Sequence, residues 1–113
     1  MSRYEFDWVD AFTAAPFGGN GCVVVHGAAE MPLEGRLALV RETSLAECAY
    51  LVGSDVADFG VRYYLADKEI PMAGHPTIAT VASLLDRGLV TLVNGRAEFT
   101  LEVGAGVLPI EVD

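Results

Sequence analysis

The order of hydrophobic and polar positions along the chain predicts about seven short strands and two helices. Tyr4 to Phe12 alternates loosely and is rich in aromatic residues, which predicts a strand. Ala15-Pro16-Phe17-Gly18-Gly19-Asn20-Gly21 is dense in chain breakers and predicts a loop. Cys22-Val23-Val24-Val25 is a short β-branched strand closed by His26-Gly27. Beyond Met31-Pro32, apolar side chains fall at Leu33, Leu37 and Val40. That i, i+4, i+7 spacing predicts an amphipathic helix ending near Glu42 or Thr43.

The stretch Ser44 to Val52 turns into a strand in its second half, and Gly53-Ser54-Asp55 closes it. Val61 to Leu65 predicts another strand. After Gly88 come Leu89 to Val93, the hairpin signal Asn94-Gly95, and Arg96 to Val103. In the last of these, Ala97, Phe99, Leu101 and Val103 face one way and Arg96, Glu98, Thr100 and Glu102 the other, the mark of a one-sided sheet. Gly104-Ala105-Gly106 then turns into Val107 to Val112.

One segment stands apart. Thr77 to Leu85 carries no charge, and a helix that is apolar on every side is normally buried. It predicts a core helix from about Pro76 or Thr77 to about Arg87, stopped at Gly88 and entered through a Gly74-His75-Pro76 turn. The N-terminus of such a helix offers unpaired backbone N–H groups and a positive dipole end, a ready site for carboxylate or phosphate. Antiparallel strands with one fully apolar helix predict a sheet wrapped around that helix.

Composition narrows the picture. At 113 residues and 52% hydrophobic content the chain predicts one domain, 1–113, with one core. A net charge of -9 argues against nucleic acid and anionic membrane surfaces as partners, but not against a small anion held at a locally positive site. No signal peptide or membrane-length apolar run is evident, so a cytoplasmic location is expected. Cys22 and Cys48 lie at no metal or redox spacing and read as free core thiols. The two histidines share no Cys, Asp or Glu at ligand spacing, so no metal is expected.

Glu47 and His75 are the candidates for chemistry. A carboxyl group in apolar surroundings is pushed toward its neutral form by desolvation, which suits proton transfer near neutral pH. An outward glutamate on an edge strand would read the same way. An imidazole at a helix N-terminus favours its neutral form, and a purely local cap remains the alternative for His75. Gly74 fits either a close ligand approach or a tight turn. Asn20 fits either a ligand contact or a left-handed turn. His26, before Gly27, reads as a surface turn residue.

Taken together, Val9-Asp10-Ala11-Phe12, the Gly19-Asn20 loop, Ser44-Leu45-Ala46-Glu47 and above all Glu69-Ile70-Pro71-Met72-Ala73-Gly74-His75-Pro76 resemble the phenazine-biosynthesis isomerase (PhzF-like) family, of the diaminopimelate-epimerase-like fold. The resemblance runs in order from about Tyr4 to Val112 and matches the N-terminal half of the two-halved family enzymes. It implies an α+β half-fold, a mostly antiparallel barrel-like sheet around one central apolar helix. It also implies cofactor-independent, isomerase-type proton transfer on a small carboxylic acid.

By position, Glu47 matches the family's general acid/base, and His75 is the second catalytic candidate. Gly74 and His75 match the turn that binds the substrate carboxylate, flanked by Ala73 and Pro76, and Asn20 matches a cleft-lining loop residue. Ala73 falls where amino-acid epimerases of this fold keep a catalytic cysteine, so a two-thiol mechanism is not expected. Ala46 stands where the best-known members have a serine, and Gly21 where many have a proline. Because the cleft lies between two halves, the expected partner is a second copy of the chain or a complementary half-chain. The alternatives are a non-catalytic small-acid-binding or accessory protein, and a truncated half of a longer isomerase.

Overall fold

The computed structural model describes residues 4–11, 20–43 and 47–112. Their order is β1 (Phe6–Ala11), β2 (Asn20–Val25), α1 (Leu33–Thr43), β3 (Cys48–Leu51), β4 (Phe59–Tyr64), β5 (Glu69–Ile70), α2 (Gly74–Asp86), β6 (Ala97–Val103) and β7 (Gly106–Val112). The fold is α+β, as expected. Most of the breaker loop before β2 and the segment Ser44-Leu45-Ala46 lie outside the described residues.

The seven strands form one mixed sheet in the order β1-β2-β3-β4-β6-β7, with β5 paired to β4. The pairs β1–β2, β3–β4, β4–β5 and β6–β7 are antiparallel. The pairs β2–β3 and β4–β6 are parallel. Hydrophobic alternation reports which face a residue takes but not strand direction. The parallel pairs follow from the helices: α1 carries the chain from β2 to β3, and α2 stands between β4 and β6, crossovers long enough for parallel strands.

Strand alternation sorts the core into two layers. Cys22, Val24, Ala49, Leu51, Val61, Tyr63, Phe99, Leu101 and Val103 pack with Ala79 and Leu84 of α2. Val23, Val25, Cys48, Tyr50 and Tyr64 take the other face and pack with Leu37 and Val40 of α1. The period of two in β2 and β3 therefore feeds a different helix on each face. Both cysteines are free and buried, as expected for core thiols. In α1 the apolar stripe is shorter than its spacing promised, because Leu33 in the first turn is 56% exposed.

Helix α2 begins earlier than its apolar run. Gly74, His75 and Pro76 form its first turn rather than a turn before it. Proline is tolerated there because first-turn N–H groups have no intrahelical acceptor. The helix ends as expected: Gly88 adopts φ 72°, and the N–H groups of Leu89 and Gly88 donate to Leu84 O and Leu85 O at 2.9 and 3.1 Å. This pair of bonds is a Schellman cap. The burial is one-sided, since Ala79, Thr80, Ser83 and Leu84 are buried while Gly74, Ile78 and Ala82 face outward.

The segment from Leu89 to Val93 does not form the expected strand. Asn94 and Gly95 do adopt the two positive φ angles of a hairpin turn, 53° and 77°. Only a single bridge, Val93 to Arg96, flanks them. The ladder place beside β6 is taken on one side by β4 and on the other by β7, so the apolar run from 89 has no free edge of β6 to join.

Candidate active site

The candidate site lies at the N-terminus of α2. Ala73 is the N-cap, with an extended backbone (φ -150°, ψ 134°), and no side chain among the described residues caps the helix there. Gly74 and His75 follow, and Pro76 has no N–H to offer. The first-turn amides thus face outward without a side-chain acceptor at the cap position.

Glu47 immediately precedes β3, whose neighbour in the sheet packs against α2. This placement brings Glu47 Oε1 within 3.5 Å of His75 Nδ1. Both side chains are largely buried, with 19% and 14% exposure. The other ring nitrogen, His75 Nε2, is buried and has no hydrogen-bond partner among the described residues. A buried unpaired ring nitrogen costs free energy unless something completes it. The two candidates for chemistry, 28 positions apart in sequence, therefore stand together at the end of one helix.

The remaining expected site residues fall around them. Ala73 and Pro76 are buried and Gly74 is exposed. Asn20 is the first residue of β2, paired through the backbone with Ala11, and its side chain lies outside the description. Gly74 does not adopt a left-handed φ, and a methyl group built on it would meet no described atom within 4 Å. Among the described residues outside its own helix and chain neighbours, nothing crowds that position.

The opposite end of α2 holds residues that the sequence reading missed. Ser83 Oγ donates to Asp7 Oδ2 in a short hydrogen bond. Arg87 Nε and Nη2 donate to Asp7 at 2.7 and 3.1 Å, and Arg87 Nη1 to Glu5 at 2.6 Å. His26 Nε2 lies 2.7 Å from Ser83 Oγ and 3.3 Å from Asp7 Oδ2. His26 is therefore no surface residue; its side chain is only 12% exposed. Burial, followed by the nearby Arg87 charge, holds the His26 pKa below the usual imidazole value. The Arg87 hydrogen bond holds the Asp7 carboxyl down at about 2.

Ser, His and Asp meet here, but not as a nucleophilic triad. Ser83 and Asp7 share one ring nitrogen instead of opposite ones, and Ser83 is 1% exposed. The cluster bolts the C-terminus of α2 to β1 and β2. Among the described residues, no three His, Cys, Asp or Glu gather as metal ligands. A groove of about 710 Å³ opens between the 89–96 segment and Phe59 and Phe99. Neither Glu47 nor His75 lines it.

Comparison with known proteins gives this geometry a context. Residues 9–113 match the family model of phenazine biosynthesis-like proteins, PhzC-PhzF. The uncharacterized isomerase YddE of Escherichia coli is 39% identical over 71 residues, covering 63% of this chain and 24% of that protein. The uncharacterized isomerase YfhB of Bacillus subtilis is 26% identical over 99% of this chain and 37% of its own length. A Bacillus anthracis phenazine biosynthesis protein of the PhzF family superposes with a TM-score of 0.85 at 31% identity, over 96% of this chain and 35% of that one. The chain spans between about a quarter and two fifths of the length of these relatives. No helix among the described residues is long and apolar enough to cross a membrane.

Proposed function

The chain belongs to the phenazine biosynthesis-like (PhzC-PhzF) family, and from that premise we propose that it serves cofactor-independent, isomerase-type proton transfer on a small carboxylic acid. The substrate carboxylate sits on the Gly74 and His75 amides at the start of α2. The Glu47 carboxylate takes a proton from a carbon next to the conjugated or carboxylate-bearing position. The C–H electron pair moves into the conjugated system, and Glu47 returns the proton to another carbon on the same face, so substrate and product are isomers. His75 lies against Glu47 and holds the acid and the substrate in register.

The observation that carries this reading is Gly74. It is a glycine that the backbone does not require, at the first position of a helix, with open space before it and the Glu47–His75 pair beside it. A ligand that approaches the amides closely supplies the reason for glycine.

The rest of the proposal concerns completion. Residues 1–113 act as one domain equivalent to the N-terminal half of the family enzymes, in the cytoplasm. The missing wall of the cleft comes from a second copy of the chain or from a complementary half, laid over the outward stripe Gly74, Ile78 and Ala82. Closure of the sheet into a barrel-like wrap around α2 belongs to that assembled state. The alternative reading is a protein that binds small acids at α2 without turnover.

Solvent deuterium incorporation into aromatic and cyclohexadiene carboxylic acids tests the proposal. The complete assembly incorporates deuterium, and Glu47→Gln reduces the rate by about 10²-fold or more. Exchange unaffected by Glu47→Gln would sink the assignment. Binding without exchange in the wild type would favour the alternative reading.

A further inference from the structure

The absence of a side-chain cap at Ala73 leaves open what holds the first peptide of α2 in place. The answer lies behind the site. Thr77 Oγ1 donates to Ala73 O at 2.7 Å, whereas the Thr77 backbone N–H reaches the same oxygen only at 3.4 Å. The Tyr63 hydroxyl, from β4, lies 2.6 Å from Thr77 Oγ1. Thr77 has one hydroxyl proton, and Ala73 O cannot donate. The arrangement that satisfies both contacts therefore runs Tyr63 O–H to Thr77 Oγ1–H to Ala73 O. Tyr63 is fully buried and Thr77 nearly so. Burial pushes the Tyr63 phenol up to about 12, so it remains a donor at neutral pH.

The consequence follows from peptide planarity. The Ala73 carbonyl and the Gly74 N–H belong to one planar trans unit and point in opposite directions. Fixing the carbonyl inward fixes the amide outward. We infer that Tyr63 and Thr77 are positioning residues, whose buried hydroxyl relay holds the Ala73–Gly74 peptide and so aims the Gly74 N–H at the substrate carboxylate. This inference rests on the carboxylate reading of α2 given above. Neither residue touches the substrate. Hydrogen bonds in series polarise one another, and a buried relay keeps its geometry when a ligand arrives.

The test uses the full chain labelled with nitrogen-15, and benzoate as the probe. In ligand-free protein, Tyr63→Phe keeps the ring but removes the donor, and it moves the Gly74 amide resonance. It weakens benzoate binding about fivefold to tenfold, the effect of one hydrogen bond. Thr77→Val weakens binding at least as much, and Thr77→Ser restores it to within about twofold of wild type. A merely structural pair would lower the melting temperature without moving the Gly74 resonance or the affinity of the folded protein. A folded Tyr63→Phe variant with an unchanged Gly74 resonance and unchanged affinity overturns the inference. If Tyr63→Phe moves the free resonance but benzoate never shifts Gly74 in the wild type, the carboxylate reading fails while the relay stands as local architecture.

Discussion

The two ends of α2 are built from similar materials and finished in opposite ways. At the C-terminal end, Ser83, Arg87, Asp7, Glu5 and His26 form a network with several partners per group. The helix carbonyls there are closed by a Schellman cap. At the N-terminal end the cap residue has no side-chain acceptor, His75 Nε2 is buried without a partner among the described residues, and Glu47 meets His75 at 3.5 Å. Polar groups that satisfy one another hold a fold together. Polar groups held in place but left incomplete are where a ligand finishes the structure. A histidine beside a carboxylate occurs at both ends, so residue type alone does not separate scaffold from site.

If this contrast is right, substitutions at the two ends separate stability from function. The largest effect on stability is expected from Asp7→Ala, which strips acceptors from Ser83 and Arg87 together. It should cost about 2 kcal/mol, lowering the melting temperature by roughly 8 °C for a chain of this size. Deuterium exchange per folded molecule should not change. Loss of exchange without loss of stability would break the comparison.

Acid sharpens the same point. The Asp7 pKa is lowered from 3.8 to about 2, chiefly by its Arg87 hydrogen bond. A depressed carboxyl contributes stability above its unfolded pKa and loses it as pH falls through the folded value. Stability should therefore drop between about pH 4 and about pH 2. Thermal melts of Asp7→Asn across that range should lack this component of the fall.

At the open end the expected signs differ. Gly74→Ala has room for its methyl group and removes glycine's unfolded-state entropy. It should leave stability unchanged or raise it by about 0.5 kcal/mol, while abolishing benzoate binding. The smallest effect is expected for Glu47→Gln in thermal unfolding, within about 0.5 kcal/mol of wild type. A large destabilisation by Glu47→Gln would move this residue from site to scaffold.

Much of this was legible in the sequence where the cause is local. The alternation of Ala97 to Val103 gave the buried face of β6, Gly88 marked the end of α2, and Asn94-Gly95 marked its turn. Glu47 and His75 stood out as polar groups in apolar stretches, and the structure brings them together. The failures are non-local. Nothing in Leu89 to Val93 reveals that both sides of β6 are already occupied. His26 looked like a turn residue because its partners, Ser83 and Asp7, are 57 and 19 positions away. The Tyr63–Thr77 bond hid in the same manner, since each residue alone reads as core filler for a strand or a helix.

The most direct test of the contrast between the two ends is to locate a bound carboxylate by mapping backbone amide shifts along α2 as benzoate is added. The account predicts perturbation of Gly74 and His75, with Ser83 to Arg87 unmoved. Arg87 is the natural competitor, a cation at the other end of the same helix, but Asp7 and Glu5 already engage it. Perturbation centred on Arg87, with Gly74 and His75 silent, would contradict the account.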